Sequence, residues 1–475
     1  MNQAVAQASA MKARALFSEG ISLHQAGRID DAQAVYRRLL GLLPGQPDAL
    51  HMLGVSEFQI RNYAEAVRLI SEASKQLPKN DLVQFNLGNA LRALGKLDEA
   101  MTAFSKAVSL QPENLDALKN LGNLFKEQNR IDEAIDCYDR VLQVSPGHTK
   151  TLYNKAIALL MQEKLAEGWA LYDSRFALGP DEMNCLGHDI PRQAPDWDGS
   201  ALAKPLLVLP EQGLGDQIFY GAMLADLQDA RIESFACLDV RLLPLFRRSF
   251  PGIDFAVPSE IGGLDPDLGL FGAQIHIGSL GRHFRPDPAS LARVPSPFLI
   301  ADPNATTSLR QRIQHGDRIV CGLSWASKNA ETSAIKSLPL SGLLPVLQVP
   351  GVEFIDLQYG DTFEERQALK QTNGIHISRF DDIDNKNDID KLAALISACD
   401  LVITVSNSTA HLAAALGKPT VILLAHHTPL WYWHLESMNT PWYPTAILLR
   451  QPAPGDWNPA VDRAAQILKG IASTC

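Results

Sequence analysis

Apolar positions in the first third of the chain fall into columns that recur every 34 residues. Ala32, Ala66, Ala100 and Ala134 form one column, and Tyr36, Ile70, Phe104 and Tyr138 form a bulkier one. Gly20, Gly54, Gly88 and Gly122 keep the same step, as do Pro44, Pro78, Pro112 and Pro146. The pattern predicts two antiparallel helices per unit. The glycine lets the pair approach, the alanine packs where the helices cross, and the proline ends the second helix. A fifth, weaker unit runs through Ala156, Gly168 and Tyr172 and then lacks its proline. Such a unit cannot bury its apolar face alone, so an α-solenoid is expected over residues 1–178.

The pattern then changes. Pro180, Pro191, Pro195, Gly199 and Pro205 interrupt any helical period and mark a linker over 179–204. Beyond it, short apolar runs alternate with amphipathic helices, the signature of α/β architecture with parallel sheets. Strands are predicted at 206–209, 234–238, 275–277, 319–323, 353–357, 374–377, 401–405 and 420–424. That many strands, with a break around 286–303, predicts two doubly wound halves, 205–300 and 301–475, of roughly 100 to 150 residues each.

Composition narrows the function classes. The 475 residues are 46% hydrophobic and 20% charged, with a formal net charge of −10, so neither a nucleic-acid partner nor an anionic membrane surface is expected. Cys137, Cys185, Cys237, Cys321, Cys399 and Cys475 lack CxxC or CxxH spacing, which suggests neither a disulfide framework nor a zinc site. Asp381, Asp382, Asp384, Asp388 and Asp390 read as a solvated loop rather than a metal site. No apolar run is long enough to span a bilayer and no signal-like apolar segment stands near Met1, so a cytoplasmic protein with no membrane span is expected.

Two stretches carry candidate chemistry. In LVITVSNSTAHLAAALGKPT (401–420) a strand feeds a helix, and the first helical amides, over 408–411, lack intrahelical partners and carry the positive end of the dipole. They form either a phosphate cradle or an ordinary capped helix. In EQGLGD (211–216) the turn Gly213-x-Gly215 lacks the third glycine of a nicotinamide fingerprint. Asp216 follows instead, on the turn after the first strand, where open α/β sheets bind ligands. It is either a general base or a helix cap. In the repeats, Asn86, Asn120 and Asn154 stand 34 apart on the first helix of each pair, placed to offer side-chain amides to an extended peptide; Ser18 and Met52 interrupt the column.

The first third resembles the tetratricopeptide repeat, and its asparagine column has a precedent in the ladder of the O-linked N-acetylglucosamine transferase. From residue 195 onward the chain resembles the heptosyltransferase-type glycosyltransferases of the GT-B fold, in the version fused to such repeats in bacteria. The matching pieces are WDG (197–199), EQGLGD (211–216), GLSWASKN (322–329), KSLPL (336–340), LQYGD (357–361), DLVITVSNSTAHLAAALGKP (400–419), PWYP (441–444) and RQPAPGDW (450–457).

This resemblance implies an α-solenoid followed by a GT-B fold with two Rossmann-like halves, the donor lying between the halves and mostly against the second. It implies that Lys336 pairs with a donor phosphate and that Ser408, Thr409 and His411 supply helix-terminal contacts to the same group. Gln358, with Leu357, is placed beside the nucleotide base, and Ser324 and Asn407 join the donor site. Asp216 is the implied base. No metal or cofactor is implied beyond a nucleotide-sugar substrate. Ser406 stands where relatives carry an aspartate that contacts the donor sugar, which points to another sugar, such as a nonulosonic acid on CMP. Trp431, Tyr432, Trp433, Trp442 and Tyr443 either stack on a sugar ring or, the commoner role, pack the core and the seam between the halves, and the last helix, 460–471, is expected to brace the first half. The implied activity is sugar transfer, with inversion, to a Ser or Thr hydroxyl of a protein held on the concave face of the repeats, flagellin being one such acceptor. The alternatives are an inactive repeat scaffold with a nucleotide-binding module, or transfer to a lipid-linked or lipopolysaccharide glycan.

Overall fold

The helical columns become packed pairs: α1 (Asn2–Gln25) on α2 (Ile29–Leu42), α3 (Pro47–Gln59) on α4 (Tyr63–Gln76), α5 (Asp81–Ala93) on α6 (Leu97–Leu110), and α7 (Leu115–Glu127) on α8 (Ile131–Val144). The computed structural model describes residues 2–179, 190–211, 213–313, 316–327, 333–427, 430–434 and 437–473. Each second helix stops two residues before its proline, and the four alanines of the column are fully buried. The glycine column faces the bulky column: a methyl group on Gly88 would lie 2.7 Å from Phe104 Cδ1, and one on Gly122 would lie 2.7 Å from Tyr138 Cε1. A further column, unnoticed in the sequence, caps the first helices. Gln46, Asn80 and Asn114, also 34 apart, accept hydrogen bonds from the amides of Ala49, Val83 and Ala117.

Helices α9 (Thr149–Met161) and α10 (Leu165–Tyr172) continue the period, but packing divides the chain between Lys155 and Ala156. The repeat pattern therefore runs on toward 178, whereas residues from Ala156 onward belong to the α/β body. The cause is burial. Trp169, Tyr172 and Arg175 are 3%, 2% and 0% exposed, and all three are sealed by residues beyond 205.

The α/β body holds two parallel sheets. The first comprises β1 (Leu206–Leu209), β2 (Ser234–Cys237), β3 (Asp254–Ala256) and β4 (Ala273–His276), in the order β3-β2-β1-β4. The second comprises β5 (Ile319–Ser324), β6 (Val352–Asp356), β7 (Ile377–Ser378), β8 (Leu401–Val405), β9 (Thr420–Leu424) and β10 (Ala446–Arg450), in the order β10-β9-β8-β5-β6-β7. Strand order reverses between β5 and β8, so a crevice opens beyond Ser324 and Val405. β3 and β10 escaped the sequence pattern: one is only three residues long, and the other follows a run rich in aromatics and prolines. β7 starts later than predicted because Gly374, at φ 68°, closes the helix Phe363–Asn373. Linker residues 195–197 pair with β4, Trp197 N donating to Gln274 O and Gln274 N to Pro195 O; Pro180 lies outside the described residues.

The final helix, Asn458–Ala472, does not brace the first half. Its apolar face, Val461, Ala464 and Leu468, packs into the core of the six-stranded sheet with Leu347, Leu423 and Leu449. A sheet buried on both faces needs that cover. The two halves are tied instead by Arg248, whose guanidinium pairs bidentately with Asp390 at 2.6–2.8 Å, and by the Phe298 and Leu299 amides, which donate to Ala415 O.

Candidate active site

β1 leads through Pro210 and Glu211 into the helix Leu214–Gly221, with Asp216 in its first turn. Burial pushes the Asp216 carboxyl up to about 6, the Glu211 charge adds to the shift, and the Tyr432 hydroxyl and the Lys336 charge oppose it. Tyr432 donates a long hydrogen bond, 3.3 Å, to Asp216 Oδ1. Glu211 is itself wholly buried. It accepts from Arg175 Nε at 3.0 Å, from Arg175 Nη2 at 2.5 Å and from Gly278 N at 2.9 Å. The Arg175 guanidinium lies 4.0 Å from the ring centres of both Tyr172 and Phe176. Removing one partner of a buried pair leaves an uncompensated charge, typically at a cost of about 3–5 kcal/mol. Glu211→Ala leaves Arg175 only Asp173, 2.7 Å away and shared with Arg282, and is therefore expected to lower unfolding stability by up to about 3–5 kcal/mol, read as a lower urea midpoint.

From the second half, β8 ends at Ser406 and Asn407, and the helix Ser408–Ala415 begins. Asn407 is the cap: its Oδ1 accepts from Thr409 N and Ala410 N, and its Nδ2 donates to Ser324 Oγ and Ala326 O. Two amides of the implied phosphate cradle are thus already engaged, and Asn407 is committed to the fold. Gln358 is committed too, its Oε1 accepting from Ser324 Oγ, Trp325 N and Ala326 N and its Nε2 donating to Tyr359 O. Together Ser324, Gln358 and Asn407 form one knot across the carboxyl ends of β5, β6 and β8, and Leu357 beside it is fully buried.

Lys336 differs from these residues. It is 9% exposed and has no hydrogen-bond or ion-pair partner among the described residues. Burial lowers its pKa while the Asp216 charge raises it. A buried ammonium without a carboxylate within ion-pair distance is poised for an incoming anion.

His411 lies between the two halves. Its ring stacks on Trp433 with centres 4.9 Å apart, and its Nδ1 shares a 2.9 Å hydrogen bond with the Tyr443 hydroxyl. Burial, aided by the Lys336 charge, pushes its pKa down to about 3, so the imidazole is neutral and serves as packing rather than as a cation for phosphate. A methyl group on Gly215 would come within 3.1 Å of His411 Cδ2 and 3.7 Å of Ser408 Cα, which is how closely the glycine turn meets the Ser408 helix. Gly213 caps the Leu214 helix without a side chain. Ser406 lies behind this surface, its Oγ accepting from Trp433 Nε1 at 2.9 Å.

The structure therefore brings Asp216, Lys336, His411, Gly215 and the start of the Ser408 helix to one crevice and places Ser324, Gln358, Asn407 and Ser406 in its supporting wall. Trp431, Tyr432, Trp433, Trp442 and Tyr443 are at most 4% exposed and cluster with Phe219. Site roles for Tyr432, Glu211 and Arg175 were not legible in the sequence. The only prior sign was that Glu211 opens EQGLGD and Tyr432 sits in an aromatic run.

The terminal repeat reaches both halves. The indoles of Trp169 and Trp431 meet edge to face at 5.3 Å, while Trp169 Nε1 donates to Arg285 O. The hydroxyls of Tyr172 and Tyr220 share a 2.6 Å hydrogen bond, and His434 Nδ1 meets Glu163 Oε1 at 3.0 Å. Within the repeat array, the amide nitrogens of Asn86, Asn120 and Asn154 donate to His51, Asn89 and Asn123 of the preceding repeat, each at 2.9 Å. The column thus joins repeats to one another, and its Oδ1 atoms have no partner among the described residues. Among those residues, no group of three or more His, Cys, Asp or Glu side chains is arranged to hold a metal ion. No described helix is long and apolar enough to cross a membrane.

Tetratricopeptide-repeat family models match residues 23–87, 88–129 and 115–148. The model described as glycosyltransferase family 9 (heptosyltransferase) matches residues 363–447. The chain carries tetratricopeptide repeats and a glycosyltransferase family 9 domain. The family 9 match takes in Ser406–His411 and the aromatic run, while Asp216 and Lys336 lie outside it. Protein FlbA of Caulobacter vibrioides is 33% identical over 294 residues, 58% of this chain and 48% of that protein, so the chain spans about half the length of that curated relative. Among solved structures, MamA (20% identical, covering 33% of this chain and 92% of that one) and YrrB, described as a TPR protein with an unusual peptide-binding site (22%, covering 35% and 86%), each align at a TM-score of 0.32.

Proposed function

We propose that the protein moves a sugar from a nucleotide-sugar donor to a Ser or Thr hydroxyl of a polypeptide recruited by its repeats. The observation that carries this reading is the pairing, in one crevice, of a carboxylate raised to about 6 with a buried ammonium that lacks a carboxylate partner among the described residues. Asp216 takes the acceptor hydroxyl's proton, and the oxygen attacks the anomeric carbon from the face opposite the leaving group. The bond from that carbon to the phosphate oxygen breaks with inversion, and the nucleotide departs against Lys336 and the dipole of the Ser408 helix. These two positive features offset the leaving charge, so transfer is expected to persist in EDTA.

The Ser406 hydroxyl, held by Trp433, offers a sugar no carboxylate, which favours a donor that brings its own, such as a nonulosonic acid on CMP. The Oδ1 atoms of Asn86, Asn120 and Asn154 suit peptide N–H groups, and flagellin, as the resemblance implies, is the first acceptor to test. The reading is tested by mass spectrometry of acceptor protein incubated with candidate nucleotide sugars. A mass increase of one sugar is expected; an unchanged acceptor with every donor would overturn it. In a companion screen against CMP, UDP, GDP and ADP, one base is expected to stabilise the protein, by about 2.7 kcal/mol at a hundredfold excess over Kd.

A further inference from the structure

A cavity of about 450 Å³ opens at the carboxyl ends of β1 and β4, lined by Leu209 and His276 from the strands and by Asp173 and Phe176 from the turn Asp173–Ala177 that follows α10. Its size lies within the roughly 300–1,000 Å³ usual for ligand sites. Nothing in the donor chemistry above uses it. Yet it adjoins the segment that carries Glu211 and, one turn on, Asp216.

Among the described residues the lining mixes polar and apolar surface and carries no net charge. Arg282 pairs with Asp173 at 2.7 Å, and at the rim Arg192 pairs with Asp196 at 3.1 Å. Burial lowers the His276 pKa, leaving its ring neutral. Among the described residues a phosphate would find no uncompensated cation here, in contrast to Lys336. One wall is aromatic, the Phe176 ring tilted by 36° against the His276 ring with their centres 4.3 Å apart. The rim is preformed, because Gln274 Oε1 accepts from both Gln193 N and Ala194 N.

We propose that this cavity receives the residues of an acceptor polypeptide that flank the modified hydroxyl. The inference rests on the transferase reading and deepens it. A cavity of mixed polarity whose described charges are paired, with one aromatic wall, suits an uncharged stretch of peptide. Its roof follows the last repeat helix directly in sequence, so the element that ends the repeat pattern also shapes the acceptor subsite.

The test uses the full chain, the nucleotide sugar that supports transfer, and peptide libraries with a fixed Ser or Thr between randomised flanks. Phe176→Ala and His276→Ala are expected to raise peptide KM at least about tenfold and to change the preferred flanking residues, with nucleotide Kd within about twofold. Arg192→Glu, at a position exposed enough to spare the fold, is expected to shift the preference toward Lys or Arg in the flank. Unchanged peptide KM and flanking preference in all three variants would overturn the proposal, and so would refusal of peptides alongside transfer to a lipid-linked glycan. If Phe176→Ala or His276→Ala does not fold, the Arg192→Glu profile decides. Absence of sugar transfer from any donor by the unaltered chain would instead fail the transferase reading itself.

Discussion

Asp216→Asn is expected to abolish most sugar transfer while leaving the protein folded. Loss of a positioned general base lowers kcat by about 10² to 10⁴, and the amide keeps the shape of the carboxyl without its basicity. A general base works only when ionised, so if Asp216 has that role kcat/KM of the unaltered chain should fall about tenfold per pH unit below about 6. The amide variant should lose that limb. Stability should move the other way. A carboxyl whose pKa is raised on folding favours the protonated form, so its contribution to stability is full at low pH and declines as pH rises through about 6. Above that pH the substituted amide carries no such penalty, and the thermal midpoint of the variant should equal or exceed that of the unaltered chain. A variant that is less stable and retains the pH limb would mark Asp216 as a structural residue.

Lys336→Met is expected to remove nucleotide-induced stabilisation and to reduce kcat by about 10² to 10³, the usual loss when one preorganised charge-stabilising group is deleted. Burial already disfavours the charged form of this lysine. Exchanging it for an apolar side chain of similar length should therefore leave the unliganded protein no less stable at neutral pH. The measurement is a pair of melting curves, with and without the stabilising nucleotide. Unchanged stabilisation by nucleotide would exclude Lys336 from the phosphate site, and Lys336→Arg should retain part of the effect by keeping the charge.

Much of the fold was legible because it is periodic. The 34-residue columns foretold four helix pairs, since each recurring alanine, glycine and proline answers a local steric demand. Strand β8 and the helix after it could be read from a β-branched run followed by capping residues. Side-chain commitments were not legible. Asn407, Gln358 and Ser324 look like ligand contacts in sequence, yet they bond one another and the neighbouring backbone. His411 matches a donor-site motif, yet its surroundings hold it neutral and stacked.

By itself, the sequence determined the two architectures, their order and the two turns that carry Asp216 and the Ser408 helix, because these depend on spacing and backbone chemistry within short windows. Tertiary structure decided the rest. It assigned the terminal repeat to the α/β body, set Tyr432 on Asp216 across 216 residues of chain, and joined Arg175 to Glu211. It also left Lys336 without a carboxylate partner among the described residues. Those outcomes turn on which distant groups share a low-dielectric interior, and proximity of that kind has no period in the chain.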